Sequence, residues 1–183
     1  MFQKWNFRGN KKPFSSNSPM REINNRLEEM RKEWRLSYND LAHKLGGDLT
    51  GESLKRHFEN DRGSSLTLAK LCKFFGLPFA DPQEVFNGEV TRKLKIEMAD
   101  RGWNTKDLLR KMWPTLKKDC FQKFLWRLYK FFDGESTDAY MIARMREVFG
   151  LPTVSSEDFL NEAEKMDLDD CLIDGNAQMN LAV

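Results

Sequence analysis

A chain of 183 residues that is 40% hydrophobic and 12% aromatic is long enough for one or two domains and too apolar to remain disordered. A formal net charge of +2 does not by itself announce a nucleic-acid binder, and no run of about eighteen apolar residues is present to span a membrane. Charge is unevenly placed. Residues 1–21 carry Lys4, Arg8, Lys11, Lys12 and Arg21 without a carboxylate, whereas residues 162–183 carry six carboxylates against Lys165 alone. The start of the chain lacks the apolar stretch of a signal peptide. Cys72, Cys120 and Cys171 are odd in number and far apart, and the histidines are only His43 and His57. Neither a disulfide framework, a metal site nor a cofactor is expected, and a reducing cytoplasm is the expected location.

Residues 1–19 read as a basic, flexible arm, broken by Pro13, Pro19 and a Ser/Asn cluster. From Met20 a helical period sets in: Ile23, Leu27, Met30 and Trp34 form one stripe. Ser37, with Asp40 three residues on, opens a second helix that carries Leu41, Ala42 and Leu45 and stops at Gly46-Gly47. Thr50 caps a third, over about residues 51–59, with Leu54 and Phe58 inward. Ser64 or Ser65 opens a fourth, packed through Leu68, Leu71, Cys72 and Phe75 and ended by Gly76. Asp81 caps a fifth, with Pro82 at its first position and Gly88 as its stop.

Beyond Gly88 the plan repeats. FGLP occurs at Phe75–Pro78 and again at Phe149–Pro152, an offset of 74. Asp107-Leu108 matches Asp40-Leu41 at an offset of 67, so about seven residues are inserted in or after the third helix of the second copy. The expected fold is all-α: two tandem five-helix units, residues 20–88 and 89–165, between the flexible arm (1–19) and an acidic, loose tail (166–183).

The segment "LSYNDLAHKLGGDLTGESLKRHFEND" resembles the helix-turn-helix domains of the phage repressor and Cro family. Leu41-Ala42 supplies that family's Leu-Ala pair, Gly46-Gly47 its turn, Thr50 the cap of its recognition helix, Leu54 the apolar residue within it and Glu59-Asn60-Asp61 its stop. The second unit departs from the pattern with Trp113-Pro114 at the turn and a longer, aromatic third helix. The resemblance implies a sequence-specific regulator of transcription, bacterial or phage in origin and nucleoid-associated. Its third helix would lie in the major groove of double-stranded DNA, with the helix's N-terminal residues at base edges.

On that placement Thr50, Gly51, Glu52, Ser53, Lys55, Arg56 and Arg62 are the expected contacts of the first unit. Lys55 and Arg56 suit guanine edges or phosphates, and Glu52 suits cytosine. In the second unit Lys117, Lys118, Gln122, Lys123 and Arg127 suit a phosphate-bearing surface, residues 115–130 carrying a net +4. Trp126, Tyr129, Phe131 and Phe132 crowd the end of the same helix and are expected at an interface with the other unit, a second copy of the chain or another protein. The alternative is a helix-turn-helix scaffold turned to protein binding, as an inhibitor or partner of another regulator or of a nuclease. No nucleophile, phosphate loop or metal-ligand spacing proposes an enzyme.

Overall fold

The computed structural model describes residues 21–60, 64–135 and 138–173, and its regular elements are helical. In chain order they are α1 (Glu22–Glu33), α2 (Tyr38–Leu45), α3 (Gly51–Asn60), α4 (Ser65–Phe74), α5 (Pro82–Phe86), α6 (Glu89–Asp100), α7 (Thr105–Met112), α8 (Lys118–Phe132) and α9 (Ala139–Val148), then a 3-10 turn (Ser156–Phe159) and α10 (Glu162–Asp169). Lengths recur in order. α1 and α6 have 12 residues, α2 and α7 have 8, and α4 and α9 have 10. The departure is α8, with 15 residues where α3 has 10, and the connection that follows α8 is two residues longer as well. Together these account for the seven inserted residues.

The helix boundaries follow from short-range chemistry. Ser37 and Asp40 form a reciprocal capping box at α2, and Asn104 and Asp107 form the same box at α7, so the repeat extends to the hydrogen bonds that start its second helix. Ser64 caps α4; Asp81 caps α5, with Pro82 inside its start. The doubled FGLP is a helix stop. Phe75 and Phe149 are buried, Gly76 and Gly150 adopt positive φ, and the next amide reaches back to the helix, Leu77 N–H to Cys72 O and Leu151 N–H to Arg146 O, both at 2.8 Å. Only glycine takes that left-handed corner cheaply, and proline two residues on cannot extend the helix.

One hydrophobic core runs through both halves of the chain, with Ile23, Leu27, Leu54, Phe58 and Leu71 in the first and Leu108, Leu128, Phe131 and Ile142 in the second. The halves join at the two helix-stop loops: Val154 N–H donates to Pro78 O at 2.8 Å, and the rings of Phe79 and Phe159 stack with centroids 5.0 Å apart. α1 packs on the 3-10 turn, and Arg21 pairs with Glu164 at 3.4 Å. Within the first half, α1 and α2 are tied by a half-buried cluster. Arg31 grips Glu28 with two hydrogen bonds, of 2.6 and 2.8 Å, Tyr38 donates to the same carboxylate at 3.1 Å, and the Arg31 guanidinium lies 4.1 Å from the Tyr38 ring centroid.

Four expectations are corrected. Trp34 is the C-cap of α1 and leaves the buried stripe, resting instead against the rings of Phe74 and Phe75. The fifth helix of the second copy is a 3-10 turn followed by a separate α10, which straddles the expected break at residue 165, because Leu160 takes an extended conformation between them. The loose tail does not begin at residue 166: Cys171 is buried, Leu116 and Leu172 form an antiparallel bridge, and Ile173 N–H donates to Thr115 O. The cysteines are not all free, since Cys120 and Cys171 are joined, their Cα atoms 5.7 Å apart. The arm over residues 1–19, the tail from residue 174 and Arg62 lie outside the described residues.

Candidate nucleic-acid interface

α3 is seated by one face and open on the other. Leu54, His57 and Phe58 are buried, and His57 Nε2 lies 3.0 Å from Asn24 Oδ1 on α1. Gly51 is buried against α2, so close that a Cβ there would sit 1.9 Å from Asn39 Oδ1 and 3.0 Å from the Asn39 amide nitrogen. The small residue lets the start of α3 meet α2. Lys70 braces the turn between them, its ammonium 3.4 Å from Gly46 O.

The outward face of α3 is Glu52, Ser53, Lys55, Arg56 and Glu59, all exposed, with Thr50 exposed at its start. Two of the expected contacts are already engaged locally: Thr50 Oγ1 accepts from Ser53 N–H at 3.1 Å, and Ser53 Oγ accepts from Thr50 N–H at 3.0 Å while donating to Thr50 O at 2.8 Å. Ser53 is therefore the cap's second half. Arg56 pairs with Glu52 at 3.2 Å and Lys55 with Glu59 at 3.8 Å, each one helical turn away. Exposed pairs of this kind contribute about 0.3–0.5 kcal/mol, so either cation can exchange its carboxylate for a phosphate at little cost.

α8 divides its expected residues between core and surface. Trp126 is 59% and Tyr129 45% exposed, while Phe131 and Phe132 are 1% and 7% exposed. The last two pack in the chain's own core, Phe132 under Lys95 of α6, and are not available to a partner. Helical period explains the split: Phe124, Leu125, Leu128, Phe131 and Phe132 fall on one face and Gln122, Trp126 and Tyr129 on the other. Lys118, Gln122 and Lys123 are exposed. Arg127 is paired with Asp138 at 2.9 Å, and Lys130 lies 3.2 Å from Glu135 and 4.1 Å from the Trp126 ring centroid. A cavity of about 80 Å³ separates Lys123 and Arg127 from Glu164 and Asp167 of α10, so acidic groups flank this side of the basic helix.

The start of α8 is covered by residues that sequence reasoning missed. Lys117 has no side-chain cap to offer; instead its N–H donates to Cys171 O at 2.8 Å and its ammonium to Asp170 O at 2.6 Å. With Ile173 on Thr115, the Leu116–Leu172 bridge and the Cys120–Cys171 disulfide, residues 170–173 form a strap across the α7–α8 turn. The available signal was the apolar island Cys171-Leu172-Ile173 inside an otherwise acidic stretch. Cys72, by contrast, is a free core thiol that burial pushes up to about 12, which leaves it unreactive. Comparison of the chain with protein-family models, with curated proteins and with solved structures finds no match.

Proposed function

We propose that the chain is a sequence-specific double-stranded-DNA-binding regulator of transcription, built from two helix-turn-helix units in tandem, with α3 as its reading helix. The observation that carries this reading is α3 itself. A short capped helix is docked by Leu54, His57 and Phe58 and by the close approach at Gly51, with Glu52, Lys55 and Arg56 left facing solvent. A major groove accepts a helix presented in this way, and the N-terminal residues reach base edges.

The second unit supports a different role. α8 begins under the strap, Arg127 is already paired, and its open face carries Trp126 and Tyr129. Exposed aromatics beside neutralised cations favour a protein surface, a second copy of the chain included, over a phosphate grip while the strap is closed.

Selection of bound sequences from random duplexes, repeated at two salt concentrations, tests the reading. The expected outcome is an enriched motif bound less tightly at higher salt, with the preference altered in Arg56→Ala. No enriched motif, together with unchanged binding by Arg56→Ala, removes α3 as the reader.

A further inference from the structure

Residues 170–173 sit on the end of α8 that a helix-turn-helix unit presents to DNA. Two main-chain oxygens, of Asp170 and Cys171, hold the ammonium and the amide of Lys117, and Cys120, within the first turn of α8, is bonded to Cys171. Ile173 N–H on Thr115 O, the Leu116–Leu172 bridge and the burial of Cys171 add to the hold. α10, which leads into the segment, is itself loosely seated: it has no buried residue, Met166 is exposed, and Leu168 is partly buried against the core. The covalent bond adds a tether that raises the effective concentration of the strap's hydrogen-bonding groups at the α7–α8 turn.

We propose that the Cys120–Cys171 disulfide is a thiol-sensitive latch: closed, it holds the C-terminal strap over the start of α8, and opened by a small-molecule dithiol, it frees Lys117 and clears the approach of duplex phosphates to it and to the already exposed Lys118. This rests on the DNA-binding reading above and assigns regulation to the second unit. The chemistry is thiol–disulfide exchange. One thiolate of the reductant attacks the sulfur of Cys120, the less buried of the pair; the protein S–S bond breaks as a mixed disulfide forms, and the Cys171 thiolate leaves and takes up a proton. The second thiol of the reductant then displaces Cys120, so the protein gains two S–H groups and the reductant becomes a cyclic disulfide.

The test uses the full-length protein, air-oxidised or treated with dithiothreitol, together with Cys171→Ser, in case reduction or substitution alone disturbs folding. Counting accessible thiols fixes the redox state, because Cys72 stays buried. Hydrogen exchange at the amides of Lys117 and Ile173 reads the strap, and fluorescence anisotropy with a labelled mixed-sequence duplex reads DNA. Reduced protein and Cys171→Ser are expected to exchange both amides rapidly and to bind at least about tenfold more tightly, with a log–log salt slope steeper by roughly 2 for two added phosphate contacts. Lys118→Ala in the reduced state should lose part of that gain. Slow exchange after full reduction, or a strap that opens with no gain in affinity while oxidised protein still binds through Arg56, overturns the latch alone. Absence of duplex binding in both redox states, unchanged by Arg56→Ala, overturns the DNA-binding reading and the latch's role with it.

Discussion

Asn39 Oδ1 occupies the space that a side chain on Gly51 would need. Gly51 is thus a packing requirement of the α2–α3 corner rather than a hinge. Gly51→Ala should destabilise the fold by about 1–2 kcal/mol, since the Asn39 side chain can swing away but the Asn39 amide cannot. Adding Asn39→Ala should recover part of the loss. Thermal unfolding of the two single variants and the double variant measures the coupling, and strict additivity would show that the two residues do not meet.

Glu28 carries a pH signature. Burial pushes its carboxyl up, but the Arg31 hydrogen bonds and charge, the Tyr38 hydroxyl and nearby Lys32 outweigh burial and hold it below its ordinary 4.5. A carboxyl with a depressed folded pKa contributes stability that is present above 4.5 and lost as pH falls through its folded value. Glu28→Gln should therefore cost about 1–2 kcal/mol near pH 7, through its hydrogen bonds to a charged partner, and progressively less below 4.5. Urea unfolding of both proteins from pH 7 to pH 3 checks this; a gap that stays constant across that range refutes it.

Glu52 pairs with Arg56 on the open face of α3. Glu52→Gln removes the partner at 3.2 Å and a like charge facing phosphate, so duplex affinity should rise by roughly threefold to tenfold at low salt. The gain should fade as salt approaches about 1 M, where the screening length shortens to about 3 Å. Anisotropy titrations at three ionic strengths read both trends.

The Cys120–Cys171 link spans a sequence separation of 51, and closing a loop of that size restricts the unfolded chain by about 4 kcal/mol in a chain-entropy account. Reduction should lower Tm by on the order of 10 °C in a chain of this length. Calorimetry with and without dithiothreitol, with Cys171→Ser as the matched control, tests the size of the effect.

Local chemistry makes many of the helix starts and stops in both halves readable from the sequence. The Ser37–Asp40 and Asn104–Asp107 boxes, the Asp81-Pro82 start and the two FGLP stops are set by residues within six positions of one another, and each formed where the residue types require it. The offsets of 67 and 74 likewise located the insertion, most of which lies inside α8. The disulfide and the strap depend on segments some fifty residues apart, and spacing along the chain carries no trace of that contact. The outward face of α3 was legible from Leu54 and Phe58 alone; the use of Ser53 within its own cap was not, because a serine at that position serves a cap or a ligand with equal ease.

The bond from Val154 to Pro78 and the stacked Phe79 and Phe159 rings tie the two FGLP loops directly to each other. Such a joint gives the molecule the character of a gauge: in the structure the separation of α3 from α8 is set by contacts within the protein. A duplex engaged by both helices must supply its two recognition elements at one fixed phase of the double helix, so half a helical turn of spacer DNA inserted between them should abolish joint engagement while each element alone still binds.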